Sequence, residues 1–354
     1  MAVIPRAACE AAYAAAVRAC DPALRVAAEL AGRRFDLGLA IGKAALAMAR
    51  GAGPVARGLV IAPQLDGAPL PLGWTARDAG HPEPDARSLA AGDAAIELVD
   101  GARPGDAVLA LISGGASALC ERPRPGVTLD QLRAEIRAVM ASGADIHAIN
   151  ARRVQLSAIK GGQLAARCAA PVTTLALSDV FDDDIAVIGS GPTIAHRPGD
   201  TAIVIAPIAT FARAVCRALG APPPVAVHGD VARVAAALAP GVSYGEPTIA
   251  VPADHGEGGR AQQLALELAR ALRGRERSAF VAGSDGIDGP PPRGRPAPAG
   301  AYVDGATWDA IAACGIDPGR ALARCDAGPA LAAVGALFVP GPTGVNHADL
   351  MIVG

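Results

Sequence analysis

Only two of the 32 basic Lys and Arg residues in this 354-residue chain are lysine, Lys43 and Lys160. In a chain so rich in arginine, a retained lysine marks a place where a compact ammonium serves and a planar guanidinium fork does not. Lys43 follows an apolar run in IGKAALAMA (41–49), where Gly42 ends a strand and Lys43 opens a helix. An ammonium there can reach an anion held over the helix N-terminus. An exposed lysine at an ordinary strand-to-helix turn is the alternative. A second string, ISGGASAL (112–119), sets Ser113, Gly114, Gly115 and Ser117 after another apolar run. Consecutive small residues let backbone N–H groups converge on one oxyanion, so this string reads as a phosphate cradle. It is neither a Walker A loop nor a GxGxxG fingerprint.

Carboxylates gather in LSDVFDDDIAVIGSGPT (177–193), with Asp179 at a strand end and Asp182, Asp183 and Asp184 just beyond. Hard oxygen ligands suit magnesium held jointly with substrate phosphates. An exposed acidic turn is the plainer reading of Asp182 to Asp184. In HGEGGRAQQLALELA (255–269), Arg260 opens a helix, where its charge opposes the dipole, so bidentate anion binding is the expected reason for it. GSDGIDG (283–289) places Asp285 and Asp288 among glycines, and GPTGVNHADL (341–350) forms another small-residue loop.

These strings need elements to hold them. Short apolar, β-branched stretches alternate with longer amphipathic ones, the pattern of parallel strands joined by crossover helices in an α/β fold. Strands are expected at 37–42, 58–62, 107–112, 172–177 and 202–206, then at 247–252, 279–283 and 336–340. Helices are expected over 8–30, 43–50, 85–98, 129–141, 210–219 and 258–272. The proline-rich 221–227 and 290–300 cannot be helix interiors, and the second reads as a surface loop. A boundary near residue 237 would give two domains, 1–237 and 238–354, each long enough to bury a core.

Composition narrows the partner. A net charge of −2 supplies no field for nucleic acid or acidic membranes, which points to a small molecule. No apolar run approaches the ~18 residues of a membrane span, and Arg6, Glu10 and Arg18 break the N-terminal stretch that a secretion signal would need, so it reads as a helix. Seven cysteines, an odd number without a CxxC pair, read as free thiols in a reducing compartment, and hence a cytoplasmic protein.

Taken together, IGKAALAMA, AGHPEPDARS (79–88), LISGGASAL, ASGADIHAIN (141–150), LSAIKGGQLA (156–165), LSDV with SGPT, YGEPTIAV (244–251), GEGGRAQQLAL, GSDGIDGP and GPTGVN resemble the glycerate 2-kinases of the MOFRL type, some of which carry an older label of hydroxypyruvate reductase. The resemblance covers nearly the whole chain. It implies a Rossmann-like N-terminal domain, a smaller C-terminal α/β domain and an active site in the cleft between them. It further implies ATP and Mg2+ as cofactors and a small hydroxy acid as acceptor. Lys43 matches the family's essential lysine, Asp179 the aspartate of its SDV string, Arg260 the arginine of GGRNQE, Asp285 the aspartate of GTDG, and Glu246 the glutamate of GGE. Ser113, Gly114, Gly115 and Ser117 match its phosphate loop, and Lys160 a second basic position of the cleft. Asp179 and Asp285 become the expected metal ligands, and either could serve as the base. Glu246 and Asn346 fall in the substrate cleft.

The departures touch possible contacts more than the scaffold. Where the family has N-x-V-R-K-H-L-S, this chain has Val154 and Gln155 in place of the lysine and histidine, and GGRNQE has become a string with Ala261 and Gln263. The resulting expectation is a kinase of the 2-hydroxyl of D-glycerate. A kinase for another small hydroxy or sugar acid, an NAD(P)-dependent hydroxypyruvate reductase and a catalytically silent binding homologue are the competitors. A homo-oligomer is compatible with all of them.

Overall fold

The computed structural model describes residues 3–290 and 294–354, which form two compact α/β units. One, Asp21–Ile208, is built on a parallel sheet; the other joins the N-terminal stretch through Cys20 to Ala209–Gly354. The expected boundary at 237 is therefore not where the contacts divide. The reason is the helix Arg6–Ala19, which packs on the helix Thr210–Leu219 and carries Tyr13 into a cluster with Phe211, Phe280 and Phe338. Chain neighbours in this second unit are thus separated by nearly 190 residues of the first.

The parallel unit holds β1 (Phe35–Ile41), β2 (Val55–Ala62), β3 (Trp74–Asp78), β4 (Val108–Ile112), β5 (Val172–Leu177) and β6 (Thr201–Ala206). Their order is β3-β2-β1-β4-β5-β6, with every pair parallel. Alternate residues enter two cores, because side chains on a strand point to opposite faces. Leu39, Ile41, Ala110 and Ile112 pack towards the helix Ala86–Asp100. Ala40, Val60, Leu109 and Leu111 pack towards the helices Pro22–Leu30 and Ala45–Ala52. Both faces are covered, which is why β4 is apolar at all five positions. Each fully buried Leu or Ile contributes roughly 1.5–3 kcal/mol.

The second sheet holds β7 (Val225–Val227), β8 (Gly241–Gly245), β9 (Ser278–Gly283), β10 (Gly300–Asp304), β11 (Leu337–Phe338) and β12 (Asp349–Val353). Their order is β11-β10-β9-β12-β8-β7, antiparallel except for β7 with β8. The helix Arg260–Leu272 covers one face, with Leu264 and Leu268 on Ala279 and Val281 of β9. The other face holds the aromatic cluster.

Several expected elements differ. The helix expected over 8–30 is two, because Pro22 cannot continue the first and Asp21 caps the second through the N–H groups of Ala23 and Leu24. The strand expected over 247–252 is absent apart from a bridge at Thr248; Pro247 and Pro252 lack donors, and β8 lies just before it. β3, β7, β8, β10 and β12 have no counterpart among the expected strands. The expected loop 290–300 includes residues 291–293, which lie outside the described residues.

Tyr13 rings lie 5.1 Å from Phe211 and 5.0 Å from Phe338, and its hydroxyl donates to the Gly283 carbonyl at 2.7 Å. Tyr13→Ala should therefore destabilise the unit containing β9 by about 3–5 kcal/mol. The urea midpoint of that unit checks this, and an unchanged midpoint would detach the N-terminal helix from its core.

Candidate active site

In an open parallel sheet, ligands bind beyond the carboxyl ends of the strands, where the strand order reverses. Here that point lies between β1 and β4. Ile41 pairs with Ile112, and Ile112 with Ala176, so Gly42–Lys43, the loop from Ser113 and Ser178–Asp179 leave one edge of the sheet together. The first two loops are locked to each other. The Lys43 N–H donates to the Gly114 carbonyl at 2.9 Å, and Ser113 Oγ accepts from the Ala44 N–H at 3.1 Å. Gly42 has φ +133°, and a Cβ there would stand 2.1 Å from Ser113 Oγ, so only glycine allows the approach.

Three chemical groups close on the glycines of the second loop. A Cβ on Gly114 would lie 2.3 Å from Asp179 Oδ2; one on Gly115 would lie 3.0 Å from His81 Cδ2 and 3.3 Å from Lys43 Cγ. Lys43, Asp179 and His81 thus border one small-residue floor. Lys43 is exposed and, among the described residues, has no carboxylate within ion-pair distance. Burial pushes the His81 imidazole below its ordinary pKa, and the Lys43 ammonium pushes it further in the same direction, so the ring is neutral at pH 7. His81 sits inside AGHPEPDARS, a string noted above, but nothing in that spacing singles out the imidazole.

Other expected contacts are placed elsewhere. Ser113 is buried and committed to the Ala44 amide, and Ser117 Oγ is 2.9 Å from Ser190 Oγ. The helix following the loop is one turn, Ala116–Leu119, so it brings little dipole to the loop. Lys160, expected as a second basic position of the cleft, is 1% exposed and ion-paired to Glu121. Glu121 also accepts from Ser157 Oγ at 2.6 Å. The acidic turn is largely self-contained. Asp183 accepts from the Ile208 N–H, Asp184 from the Ala186 N–H, and Asp182 pairs with His147 at 2.9 Å.

In the mixed-sheet unit, Asp349 opens β12 opposite Gly245 of β8 and Gly283 of β9. Arg260 donates through Nε to its Oδ2 at 2.7 Å and through Nη2 to its Oδ1 at 3.3 Å, with Glu246 at 3.1 Å. The guanidinium fork expected to grip a ligand is therefore filled by the protein's own carboxylates. The helix N-terminus behind it is filled too, since Asp288 accepts from the N–H groups of Ala261 and Gln262. Ala261 and Gln263 point into the core, Gln263 donating to the Leu322 carbonyl at 2.8 Å, so these departures alter helix packing. Asp285 and Asn346 are exposed and, with Arg260, Asp288 and Asp349, line a cavity of about 460 Å3. Its acidic lining opposes a bare anion.

Asp349 was not read from the sequence, although a carboxylate heading the apolar run DLMIV was the available signal. Burial pushes its carboxyl up to about 7, while the hydrogen bond and charge of Arg260 pull it down. A folded pKa above the ordinary 3.8 means that the folded chain keeps a proton there that the unfolded chain releases. That contribution to stability is full below 3.8 and is lost as pH rises through about 7. The melting temperature of the wild type relative to Asp349→Asn should accordingly fall across this window; a flat difference would contradict the assignment.

Comparison with known proteins agrees with this architecture. Residues 8–213 match the family described as a domain of unknown function, DUF4147, and residues 240–349 match the MOFRL family. The chain is 33% identical to the D-glycerate 2-kinase of Thermotoga maritima, over 89% of each chain. It is 34% identical to a protein of Agrobacterium vitis that carries the hydroxypyruvate reductase label, over 78% of this chain and 76% of that one. The crystal structure of a glycerate kinase from Thermotoga maritima superposes with a TM-score of 0.87 at 29% identity, covering 99% of both chains. With both family segments in order and a full-length likeness in sequence and fold, this chain belongs to the DUF4147–MOFRL family that includes the D-glycerate 2-kinase of Thermotoga maritima.

Proposed function

We propose that this protein transfers the γ-phosphoryl group of ATP to the 2-hydroxyl of D-glycerate, giving 2-phosphoglycerate and ADP. The observation that carries the reading is the uncompensated Lys43 ammonium beside the Ser113–Ser117 loop at the sheet's switch point, in a chain whose relatives are named glycerate kinases. Phosphoryl transfer asks mainly for positioning and charge neutralisation. Lys43 and the Gly114 and Gly115 amides would hold the transferring group as its charge spreads in the transition state. The acceptor oxygen bonds to the γ-phosphorus while the bond to the β–γ bridging oxygen breaks. The hydroxyl proton passes to a neighbouring base, for which Asp179 and the neutral His81 are placed on the same floor.

The donor set also fits magnesium. Among the described residues no three His, Cys, Asp or Glu side chains converge on one point, which excludes a dedicated cage, yet a magnesium ion is commonly held by one or two carboxylates plus phosphates and water. Asp179 beside the phosphate loop supplies such a carboxylate, and the bound ion would neutralise charge on the β- and γ-oxygens. The hydroxypyruvate reductase label of some relatives motivates a second reading. The turn after β1 is Gly42-Lys43-Ala44 and carries no dinucleotide fingerprint, which weighs against it.

Coupled measurement of ADP release with D-glycerate, run beside a nicotinamide absorbance assay with hydroxypyruvate, decides between the two. Lys43→Ala should lower kcat/KM by about 10³-fold, in the range seen when one transition-state donor is removed, with a melting temperature close to wild type because the side chain packs against little. Near-normal turnover would remove Lys43 from the mechanism. Chelation of magnesium should stop ADP release and its re-addition restore it; turnover that persists in excess chelator would refute the magnesium requirement.

A further inference from the structure

One cavity of the parallel-sheet unit, about 410 Å3, has a mixed lining. Leu132, Ile136, Met140 and Ile146 contribute apolar surface to it, and Ser117, Asn150, Arg153 and Ser190 contribute polar groups. Ser190 Oγ donates to Asn150 Oδ1 at 2.6 Å, and Arg153 Nη1 donates to the same oxygen at 3.4 Å. An arginine can only donate, so the amide orientation is settled and Nδ2 faces away from both. Asn150 is 6% exposed, and its buried Nδ2 has no hydrogen-bond partner among the described residues.

Arg153 is similarly unfinished. The other arginines lining the two cavities are each held by a carboxylate: Arg133 by Asp130, Arg137 by Glu83, and Arg260 by Asp349 and Glu246. Arg153 has no carboxylate within ion-pair distance among the described residues, and the nearby charge of Glu121 is already neutralised by Lys160. A half-buried guanidinium without an anion and a buried amide donor without an acceptor are both unfavourable, and a native structure that retains the two side by side calls for an explanation.

We propose that Arg153 and Asn150 bind the carboxylate of the acceptor acid. One carboxylate would accept from both groups, and the apolar surface would keep water from weakening the ion pair. The triphosphate of the nucleotide is the other anion available. Arg153 is the one arginine lining this cavity that lacks a carboxylate among the described residues, Arg133 and Arg137 being paired, so a single carboxylate matches it one for one and a triphosphate does not. The proposal rests on the kinase reading for the identity of the acid, and not for the anion site itself.

Arg153→Leu should raise KM for D-glycerate at least tenfold and leave KM for ATP within twofold. Arg153→Lys, which keeps the charge but not the fork, should give a smaller rise and serves where the leucine variant does not fold. A merely structural role would not separate the two KM values. Calorimetric titration of the full chain without nucleotide, using D-glycerate, its carboxamide and inorganic phosphate, reads the site directly. The acid should bind at least tenfold more tightly than the carboxamide, and Arg153→Leu should erase that preference. Equal binding of acid and carboxamide, no binding of D-glycerate to the wild type, or a shift in KM for ATP in place of KM for the acid would overturn the assignment. A chain that binds D-glycerate through Arg153 yet releases no ADP defeats the kinase reading and leaves the anion site standing. One that phosphorylates D-glycerate indifferently to both Arg153 variants does the reverse.

Discussion

The parallel register of β1, β4 and β5 is the constraint on which the candidate site depends. Pairing Ile41 with Ile112 and Ile112 with Ala176 brings three loops off the sheet at one level. The reversal of strand order between β1 and β4 opens the crevice into which they project. Every later detail needs that level edge. The Lys43 to Gly114 hydrogen bond, the bare Cα of Gly42 against Ser113 and the seating of Asp179 over Gly114 would all be lost by a one-residue slip, which would also turn each strand's apolar set to the wrong face.

A second organising principle is the distribution of charge partners. Inside the parallel unit, Lys160 is neutralised by Glu121, and removing either would leave a buried charge uncompensated. In the mixed-sheet unit, Arg260 is neutralised by Asp349 and Glu246. Against these satisfied pairs, Lys43 and Arg153 stand without a carboxylate partner among the described residues. A cation that the protein itself leaves uncompensated is available to a ligand; one already forked onto a carboxylate must first be released. The two lysines, equivalent by composition, thereby differ: Lys160 is paired in the core and Lys43 is left exposed without a carboxylate partner among the described residues.

The likeness to glycerate kinases and the departures from their motifs are reconciled by the same geometry. Ala261 and Gln263 change a helix interface that faces the core, and Gln155 is exposed and accepts from Arg152. Arg153, which aligns with the arginine of the family's N-x-V-R string, is kept.

Much of this was legible in the residues alone. The apolar runs located β1, β2, β4, β5 and β9, since strands buried on both faces must be largely apolar, and β6, an edge strand with an exposed start, through its β-branched residues. Glycine density after those runs marked Lys43, the Ser113–Ser117 loop and Asp179, because ligand loops at strand ends need close backbone approach. Short or polar-flanked strands such as β3, β7 and β10 carried too weak a period to be seen, and the compact units were hidden because the helix Arg6–Ala19 joins a partner almost 200 residues away. Only the tertiary structure could decide which ionisable group meets which. The composition names Lys43, Lys160, Arg153 and Arg260 alike as cations; whether each faces a carboxylate, the core or an open floor depends on side chains far apart in sequence, and proximity of that kind has no local signature.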